Sequence, residues 1–398
     1  MPLQTNKEFS MHTHAKRPLH LGEHLRHVGE KILQFIKANV VLCVAICAAV
    51  LTSILVPPDA AYLGYFDFKT LTCLFCVLAV VCAFKNIRFF FFLAQKIVAM
   101  FKNTRASILA LAYVTFIGSM LIANDMALLT FLPLGYLVLS STGKQKYMAF
   151  TFIMQNIAAN LGGMLTPFGN PQNLYLYTKF NIPTGEFMGI MAPPFCLSVA
   201  LITLCCFLFV KKENLEITEE KITLPLWRTI VYSLLFILSI VIVFRIIPFW
   251  IGLIIITVAL LFLDRGALKK VDYPLLFTFV AFFIFAGNMS RIQAVKNLFG
   301  FLMNENPLLV SILSCQVISN VPSAILLSQF TTNYAPLLLG VNIGGVGTLI
   351  SSLASLITFR EYTSHYPEKT GKYIALFSAF NFGFLIILTV VQSLILAL

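Results

Sequence analysis

A dense cluster of helix-breaking residues interrupts a hydrophobic segment of this chain. Residues 156–173 read Asn-Ile-Ala-Ala-Asn-Leu-Gly-Gly-Met-Leu-Thr-Pro-Phe-Gly-Asn-Pro-Gln-Asn. Glycine and proline at this density cannot all be accommodated in one regular helix. The chain is 59% hydrophobic and only 11% charged, which is typical of a polytopic membrane protein. Because unpaired backbone is costly in lipid, such a break needs protein or water around it, as at the binding site of a secondary transporter.

A second stretch of the chain repeats this pattern. Residues 342–356 align without gaps with residues 160–174, and the Asn, both Gly, the Thr and the final Leu are identical. Equivalent breaks in two halves of a chain indicate an internal repeat. The sequence therefore predicts two broken transmembrane helices, at 147–179 and 333–359.

Two further hydrophobic segments are predicted to fold as re-entrant helical hairpins. Residues 106–142 carry one charged residue, Asp125, and at about 1.5 Å per residue they are too long for a single span. Basic residues flank both ends, so both ends belong on the same side of the membrane. Two short ordinary spans are the alternative. Residues 307–330 are split at 319–323 into arms too short to be two spans, which predicts the second hairpin.

These segments define an all-α fold with nine spans and two inverted-topology repeats. Each repeat contains a span, an interfacial helix, a hairpin, a broken span and a span; the first starts outside and the second inside. The predicted domains are a basic, histidine-rich cytoplasmic N-terminal segment (1–38), a first span and external loop (39–67), repeat 1 (68–210), a cytoplasmic linker with two connecting spans (211–272) and repeat 2 (273–398).

The placement of the basic residues orients this layout. All but five of the 28 Lys and Arg residues fall on one face, the exceptions being Lys69, Lys179, Arg245, Arg291 and Lys296. The positive-inside rule makes that face cytoplasmic, so the N-terminus is expected inside and the C-terminus outside a plasma (bacterial inner) membrane. Topology and anionic membrane lipid thus explain the net charge of +12, and no nucleic-acid partner is predicted.

Motifs for catalysis are absent from the sequence. It contains no Walker A motif, no His-Glu-x-x-His and no Gly-x-Ser-x-Gly. ATP-driven transport and membrane proteolysis therefore have no support. We expect no enzymatic activity and no cofactor other than Na⁺ or H⁺ as a coupling ion.

The hairpin tips and the helix breaks supply the candidate binding residues. Asp125 could bind a proton or a cation, although it could instead cap the second hairpin arm through the N–H of Ala127 or Leu128. Asn124 and Asn320 occupy matching tips, and their amides can both donate and accept. Half-helix N-termini favour an anion, whereas carbonyl groups freed at the breaks can hold a cation. The full candidate set is Asn124, Asp125, Asn160, Gly162, Gly163, Thr166, Gly169, Asn170, Asn173, Ser319, Asn320, Ser323, Asn342, Gly344, Gly345, Thr348, Ser351 and Ser352, with a sodium ion expected, if at all, near Asp125 and Asn170.

At these residues the chain resembles the ion transporter superfamily, most closely the citrate-transporter-like permeases of the arsenite-permease and NhaD-antiporter branch. Residues 123–125 with 130–133 resemble the first hairpin of arsenite permeases. Residues 162–173 resemble the Gly-Thr-x-x-Gly-Asp-Pro-Pro-Asn signature, and residues 320–323 and 344–356 resemble the second-half motifs. The resemblance implies a scaffold domain, usually dimeric, and a transport domain that carries both hairpins and moves as an elevator.

Two departures from related proteins bear on the substrate. The divalent-anion/sodium symporters, which are related to this branch, carry Ser-Asn-Thr at both tips, where this chain has Ala-Asn-Asp and Ser-Asn-Val. The sodium/proton antiporters carry an Asp where this chain has Asn170. We therefore expect a secondary active transporter of a small anion, oxyanion or carboxylate, coupled to H⁺ or Na⁺. The alternatives are a Na⁺/H⁺ antiporter and an arsenite or metalloid efflux permease.

Overall fold

The computed structural model describes residues 30–31, 33–36, 39–215 and 220–397. Most of the predicted N-terminal segment, with its five histidines, lies outside these ranges. Within them the regular structure is helical, and the one β-type pairing is an isolated bridge between Asn103 and Asn214.

The α-helices that follow Asn39 are numbered in chain order. They are α1 Val40–Leu55, α2 Phe68–Asn86, α3 Phe89–Ala99, α4 Thr104–Ile122, α5 Asn124–Ser141, α6 Met148–Gly162, α7 Pro171–Lys179, α8 Thr184–Phe209, α9 Leu226–Val243, α10 Phe249–Leu263, α11 Arg265–Lys269, α12 Tyr273–Arg291, α13 Gln293–Glu305, α14 Pro307–Ile318, α15 Asn320–Leu327, α16 Tyr334–Ile343, α17 Leu353–His365 and α18 Thr370–Ala397.

Several of these helices have the length and composition to cross a membrane. Six stretches of the described chain qualify, namely Phe68–Asn86, Thr104–Ile122, Thr184–Phe209, Leu226–Val243, Tyr273–Arg291 and Pro367–Ala397. The long helices α8, α9 and α18 expose large apolar side chains, among them Leu208, Leu234 and Leu394, as lipid-facing helices do. The chain is thus a multi-pass, all-helical membrane protein. The nine-span layout stays a prediction for the shorter apolar helices.

One order of elements occurs twice along the chain. Helices α2, α3, α4–α5, α6–α7 and α8 are followed later by α12, α13, α14–α15, α16–α17 and α18 in the same order. The two sets interlock, because α5 packs on α17 and α15 packs on α7. The second arm of each helix pair thus contacts the broken helix of the other half. The inverted orientation of the two halves in the membrane and the domain boundaries are not tested by the helix order and stay predictions.

Both predicted helix breaks are present. Helix α6 ends at Gly162, a short 3₁₀ turn follows, and α7 begins at Pro171. In the second half, α16 ends at Ile343 and α17 begins at Leu353. Every residue of α6 is buried except the half-buried Ala149, and α4, α5, α8, α17 and α18 all pack on this helix. The irregular backbone therefore lies inside protein, which is the condition for tolerating it in a membrane.

Close approach of α4 and α6 depends on a glycine at the first break. A Cβ atom on Gly162 would overlap the backbone carbonyl of Phe116 and lie 2.7 Å from Ser119 Oγ. A backbone carbonyl inside a helix cannot move aside as a flexible side chain can. Gly162 therefore sets the spacing of these two helices, as small residues do between membrane helices.

The linker after α8 is held against the α3–α4 turn. The N–H of Thr104 donates to the carbonyl of Glu213 at 2.8 Å. The Glu213 carboxylate accepts from Lys144 Nζ at 2.5 Å and from Lys146 Nζ at 2.6 Å. These two charged hydrogen bonds lower the pKa of Glu213 to about 2, so the carboxylate is ionised near neutral pH. The linker is thus fastened to the loop that precedes α6.

A third ion pair holds the far end of the same linker. Both guanidinium nitrogens of Arg88 donate to the Glu220 carboxylate, at 2.5 and 2.9 Å. Arg88 lies between α2 and α3. The linker therefore contacts the α2–α3 junction through Glu220 and the loop before α6 through Glu213.

We expect Gly162→Ala to destabilise the protein by about 1–3 kcal/mol, the usual cost of overpacking a core, because the added methyl group meets backbone. The melting temperature in detergent, followed by intrinsic fluorescence, should fall by several degrees. Gly189→Ala is the matched control, since Gly189 is exposed in α8 and an added Cβ has nothing within 4 Å. Equal melting temperatures for the two variants would contradict this account of Gly162.

We expect Glu213→Gln to speed tryptic cleavage after Lys211 and Lys212 several-fold, because the amide lacks the negative charge and one of the two acceptor oxygens that bind the lysines, which loosens the linker. The cleavage rate of the purified protein measures this effect. Glu305→Gln, a substitution at an exposed glutamate elsewhere, should leave the rate unchanged. A Glu213→Gln protein that is cut as slowly as the wild type would show that the backbone pairing alone holds the linker.

Candidate functional site

Four helix N-termini meet around one small cavity. The cavity has a volume of about 40 Å³ and lies where α5, α7, α15 and α17 begin. The residues that line it are Asn124, Asp125, Pro171, Gln172, Ser319, Asn320, Val321, Pro322 and Leu353, together with Val41 of α1 and Leu275 and Thr278 of α12. Helix N-termini carry partial positive charge, so their convergence favours an anion in this cavity.

The two helix-pair tips have the same backbone geometry. Ala123 has φ +68° and ψ 156°, and Ser319 has φ +75° and ψ 162°. In each pair the following Asn accepts from the next N–H at 2.9 Å, Asn124 from Asp125 and Asn320 from Val321. Residues other than glycine rarely adopt this backbone conformation, which costs them about 1–3 kcal/mol of conformational strain. The surrounding packing must therefore hold both tips in place.

The two threonines of the breaks also make equivalent contacts. Thr166 Oγ1 donates to the carbonyl of Met120 at 2.9 Å, and Thr348 Oγ1 donates to the carbonyl of Gln316 at 3.1 Å. Each acceptor lies three residues before the tip of the helix pair in the same half. Thr166 and Thr348 thus tie each break to the neighbouring tip and are positioning residues.

Amide side chains join the two breaks. Asn342 Nδ2 donates to Asn173 Oδ1 at 2.6 Å. The amide nitrogens of Asn170 and Gln172 both lie 3.5 Å from Asn342 Oδ1. The break residues of the two halves, far apart in sequence, are therefore in direct contact.

A second set of amides joins the tips to the breaks. Asn124 Nδ2 lies 3.4 Å from Asn160 Oδ1, and Asn160 Nδ2 donates to the Asn156 carbonyl at 3.0 Å. A Cβ on Gly345 would lie 3.3 Å from Asn320 Nδ2 and 3.6 Å from Asn160 Oδ1. The small size of Gly345 therefore lets the amides of both halves approach one another.

Several of the predicted site residues make structural contacts away from the cavity. Ser323 Oγ is 2.8 Å from Ser314 Oγ within the second helix pair. Ser351 Oγ donates to the carbonyl of Gly345, and Ser352 Oγ caps α17 by accepting from Ala354 N–H. The remaining glycines of the set permit close backbone approach at the breaks: Gly163, Gly169 and Gly344. None of these residues lines the cavity.

Asp125 lies in the first turn of α5 and lines the cavity, but it does not cap the helix. The alternative of a cap through Ala127 or Leu128 is wrong, because the chain turns two residues earlier and Ala127 N–H donates to the Ala123 carbonyl. Asp125 Oδ1 is buried and has no hydrogen-bond partner among the described residues. Asn170, expected beside Asp125 at a sodium site, does not line the cavity. No cationic side chain does so either within the described chain.

Four residues of the site were not predicted. Gln172 lines the cavity, and its buried Oε1 has no partner in the described part of the chain. Gln316 donates to the carbonyls of Gly344 and Val346 and accepts from Thr348 N–H. Asn156 Nδ2 donates to Asn381 Oδ1 at 3.3 Å. Gln172 and Asn156 lie within the stretch that defined the first break, so they could have been found; Gln316 and Asn381 give no local signal.

Comparison with known proteins agrees with this architecture. Residues 29–337 match the family model described as citrate transporter. An uncharacterized transporter of Methanocaldococcus jannaschii is 35% identical over 297 residues, which cover 74% of this chain and 81% of the relative. The inner membrane protein YbiR of Escherichia coli is 30% identical over 286 residues, which cover 68% and 74%.

A solved structure is similar in fold. The YdaH transporter of Alcanivorax borkumensis superposes with a TM-score of 0.55, covering 85% of this chain and 87% of that chain at 14% identity. The expected resemblance to ion-transporter permeases is thus confirmed at the level of family and fold. This chain belongs to the citrate transporter family of membrane transporters.

Proposed function

We propose that this protein is a secondary active transporter that moves a small anion, oxyanion or carboxylate across the plasma (bacterial inner) membrane, coupled to H⁺ or Na⁺. The observation that carries the proposal is the convergence of four helix N-termini on one cavity that also holds a carboxylate. The helix ends supply partial positive charge for the anion, and Asp125 supplies a position for the coupling ion.

Coupling follows from the charge of Asp125. An ionised Asp125 and a bound anion about 4 Å apart would repel each other by about 4 kcal/mol at an effective dielectric constant of 20. A proton on Asp125, or a sodium ion beside it, removes that repulsion. The anion and the cation then bind more tightly together than either does alone, and this linkage is reciprocal.

The position of the cavity supports an elevator mechanism. The cavity lies between the tips and breaks on one side and Val41, Leu275 and Thr278 of α1 and α12 on the other. Helices α1 and α12 pack along each other, and α9 and α10 pack on α2. We assign α1, α2, α9, α10 and α12 to the scaffold and the helix pairs with the broken helices to the moving domain. On the family resemblance we further propose that the protein is a homodimer. On the placement of the basic residues we propose that its N-termini lie inside and its C-termini outside.

A Na⁺/H⁺ antiporter is the second candidate. It is favoured by one observation: a carboxylate is the sole ionisable group among the described residues that line the cavity. An antiporter would bind Na⁺ and H⁺ in turn at Asp125 and would need no anion. Arsenite efflux is the third reading, since uncharged amides also suit a neutral substrate.

Transport by purified protein in proteoliposomes distinguishes these functions. Uptake of labelled citrate, phosphate, sulfate and arsenite is measured under imposed pH and sodium gradients. We expect at least one anion to accumulate in response to a gradient. Sodium-driven proton release without anion movement would establish the antiporter, and gradient-driven movement of arsenite alone would establish metalloid efflux.

We expect Asp125→Asn to reduce gradient-driven accumulation of the anion at least about tenfold, because the amide can neither take up a proton nor neutralise a cation. Downhill anion exchange should persist, since the helix N-termini remain. Asp272→Asn is the control, because Asp272 caps α12 by accepting from Leu275 N–H and Asn caps equally well. Undiminished accumulation by Asp125→Asn would remove Asp125 from the coupling mechanism.

A further inference from the structure

A second, larger cavity lies at the other end of α7. It has a volume of about 480 Å³ and is open to the surroundings. Gly64–Lys69 line one side, and Tyr175, Thr178 and Lys179 line the other. Helix α7 begins with Pro171 and Gln172 at the small cavity of about 40 Å³ described above, which we call the central cavity, and Tyr175 lies about one turn beyond Gln172. One short helix thus borders both cavities. We call the larger one the outer cavity.

Neither lysine of the outer cavity forms an ion pair with a carboxylate of the described residues. Lys69 makes neither a hydrogen bond nor an ion pair with any described residue, and Lys179 Nζ donates to the amide oxygen of Gln329 at 3.4 Å. Asp67, the carboxylate of the cavity, already accepts from the backbone N–H of Thr70 at 2.9 Å and from its hydroxyl at 2.6 Å. With two lysines and one carboxylate among its lining residues, the cavity carries a net positive charge.

A third cation adjoins the same helix end. The Arg245 guanidinium donates to the carbonyls of Tyr177 and Ile182 and lies 4.0 Å from the centre of the Tyr177 ring. It forms no ion pair with any described carboxylate. Two lysines and one arginine thus surround the C-terminal end of α7.

The other two cations that the sequence placed on this face behave differently. Arg291 is neutralised by Asp59 at 2.7 Å, and Lys296 is exposed on α13. Of the four cations of this face that have no carboxylate partner among the described residues, three therefore lie at the outer cavity.

We propose that the outer cavity is a first binding site for the transported anion on its route to the central cavity. This inference rests on the proposed function and adds a named access route to it. A concave surface with one sign of charge raises the local concentration of the opposite ion. Lysine binds anions as a mobile, strongly hydrated charge rather than in a fixed geometry, so the anion is held weakly enough to move on.

Charge-selective labelling tests the cavity without relying on transport. Thr178→Cys is labelled with a negatively charged methanethiosulfonate sulfonate and with a positively charged trimethylammonium analogue, against a parent protein that lacks this cysteine. We expect the rate ratio of anionic to cationic reagent to fall at least about 25-fold when Lys69→Gln and Lys179→Gln are added, since one charge at about 4 Å in water changes the rate of each reagent about fivefold, in opposite directions for the two reagents. Gly300→Cys, at a half-buried position of α13 where an added Cβ has nothing within 4 Å, should show no such change. An unchanged ratio at Thr178→Cys overturns the proposal.

Transport kinetics then test whether the outer cavity lies on the route of the anion. For an anion that the protein transports, Lys69→Gln with Lys179→Gln should raise KM several-fold and leave kcat unchanged, whereas Lys296→Gln should change neither. If no anion is transported, the proposed function fails while the labelling still reports the charge of the cavity. A cavity that selects the anionic reagent, combined with an unchanged KM, overturns the assignment as an access route.

An anionic lipid headgroup could occupy the same cavity, so a separate experiment distinguishes it from a free anion. Labelling of Thr178→Cys is compared in vesicles of phosphatidylcholine and in vesicles that also contain phosphatidylglycerol, each with and without citrate or sulfate. Protection by the free anion in phosphatidylcholine supports the proposal. Protection by phosphatidylglycerol alone identifies a lipid as the occupant and overturns it.

Discussion

Backbone groups that leave a helix inside a membrane protein must find other hydrogen-bond partners, and this requirement shapes the whole centre of the molecule. The first break is satisfied from within its own half-helix, because Asn173 Nδ2 donates to the carbonyls of Gly163 and Met164, both at 3.2 Å. The second is satisfied from the adjacent helix pair, because Gln316 Nε2 donates to the carbonyls of Gly344 and Val346 at 2.9 and 3.2 Å. The same need is thus met by an amide from a different place in each half.

The two tips are alike in backbone and unlike in chemistry, and the proposed coupling depends on that difference. The residue after the tip asparagine is Asp125 in the first half and Val321 in the second. The convergent helix ends come from both halves and suit the anion, whereas the carboxylate comes from one. In the proposed mechanism, one repeated pattern therefore provides a symmetric frame for the substrate and an asymmetric position for the coupling ion.

Sequence patterns located the breaks and the polar tips because both depend on local residue types such as paired glycines, prolines and asparagines. They placed the first tip at Asn124, with a cap by Asp125 as an alternative, whereas the chain turns at Ala123; local propensity does not favour alanine at positive φ. Gln316 and Asn381 were missed because their partners come from distant parts of the chain. Hydropathy alone also does not distinguish α6 and α16 from ordinary spans, although α6 is enclosed by other helices.

The enclosure of α6 has a consequence for the order in which the protein is assembled. Gln155 Nε2 donates to Thr115 Oγ1 and to the Phe131 carbonyl, so its partners are made earlier. Asn156 instead pairs with Thr358 and Asn381, and the latter lies 225 residues further along. At about 5–20 residues per second, a ribosome reaches Asn381 roughly 10–45 s after Asn156. During that interval the side chain of Asn156 lacks two of its final partners, so the first half cannot reach its final packing in the bilayer until the last helix has been synthesised and inserted.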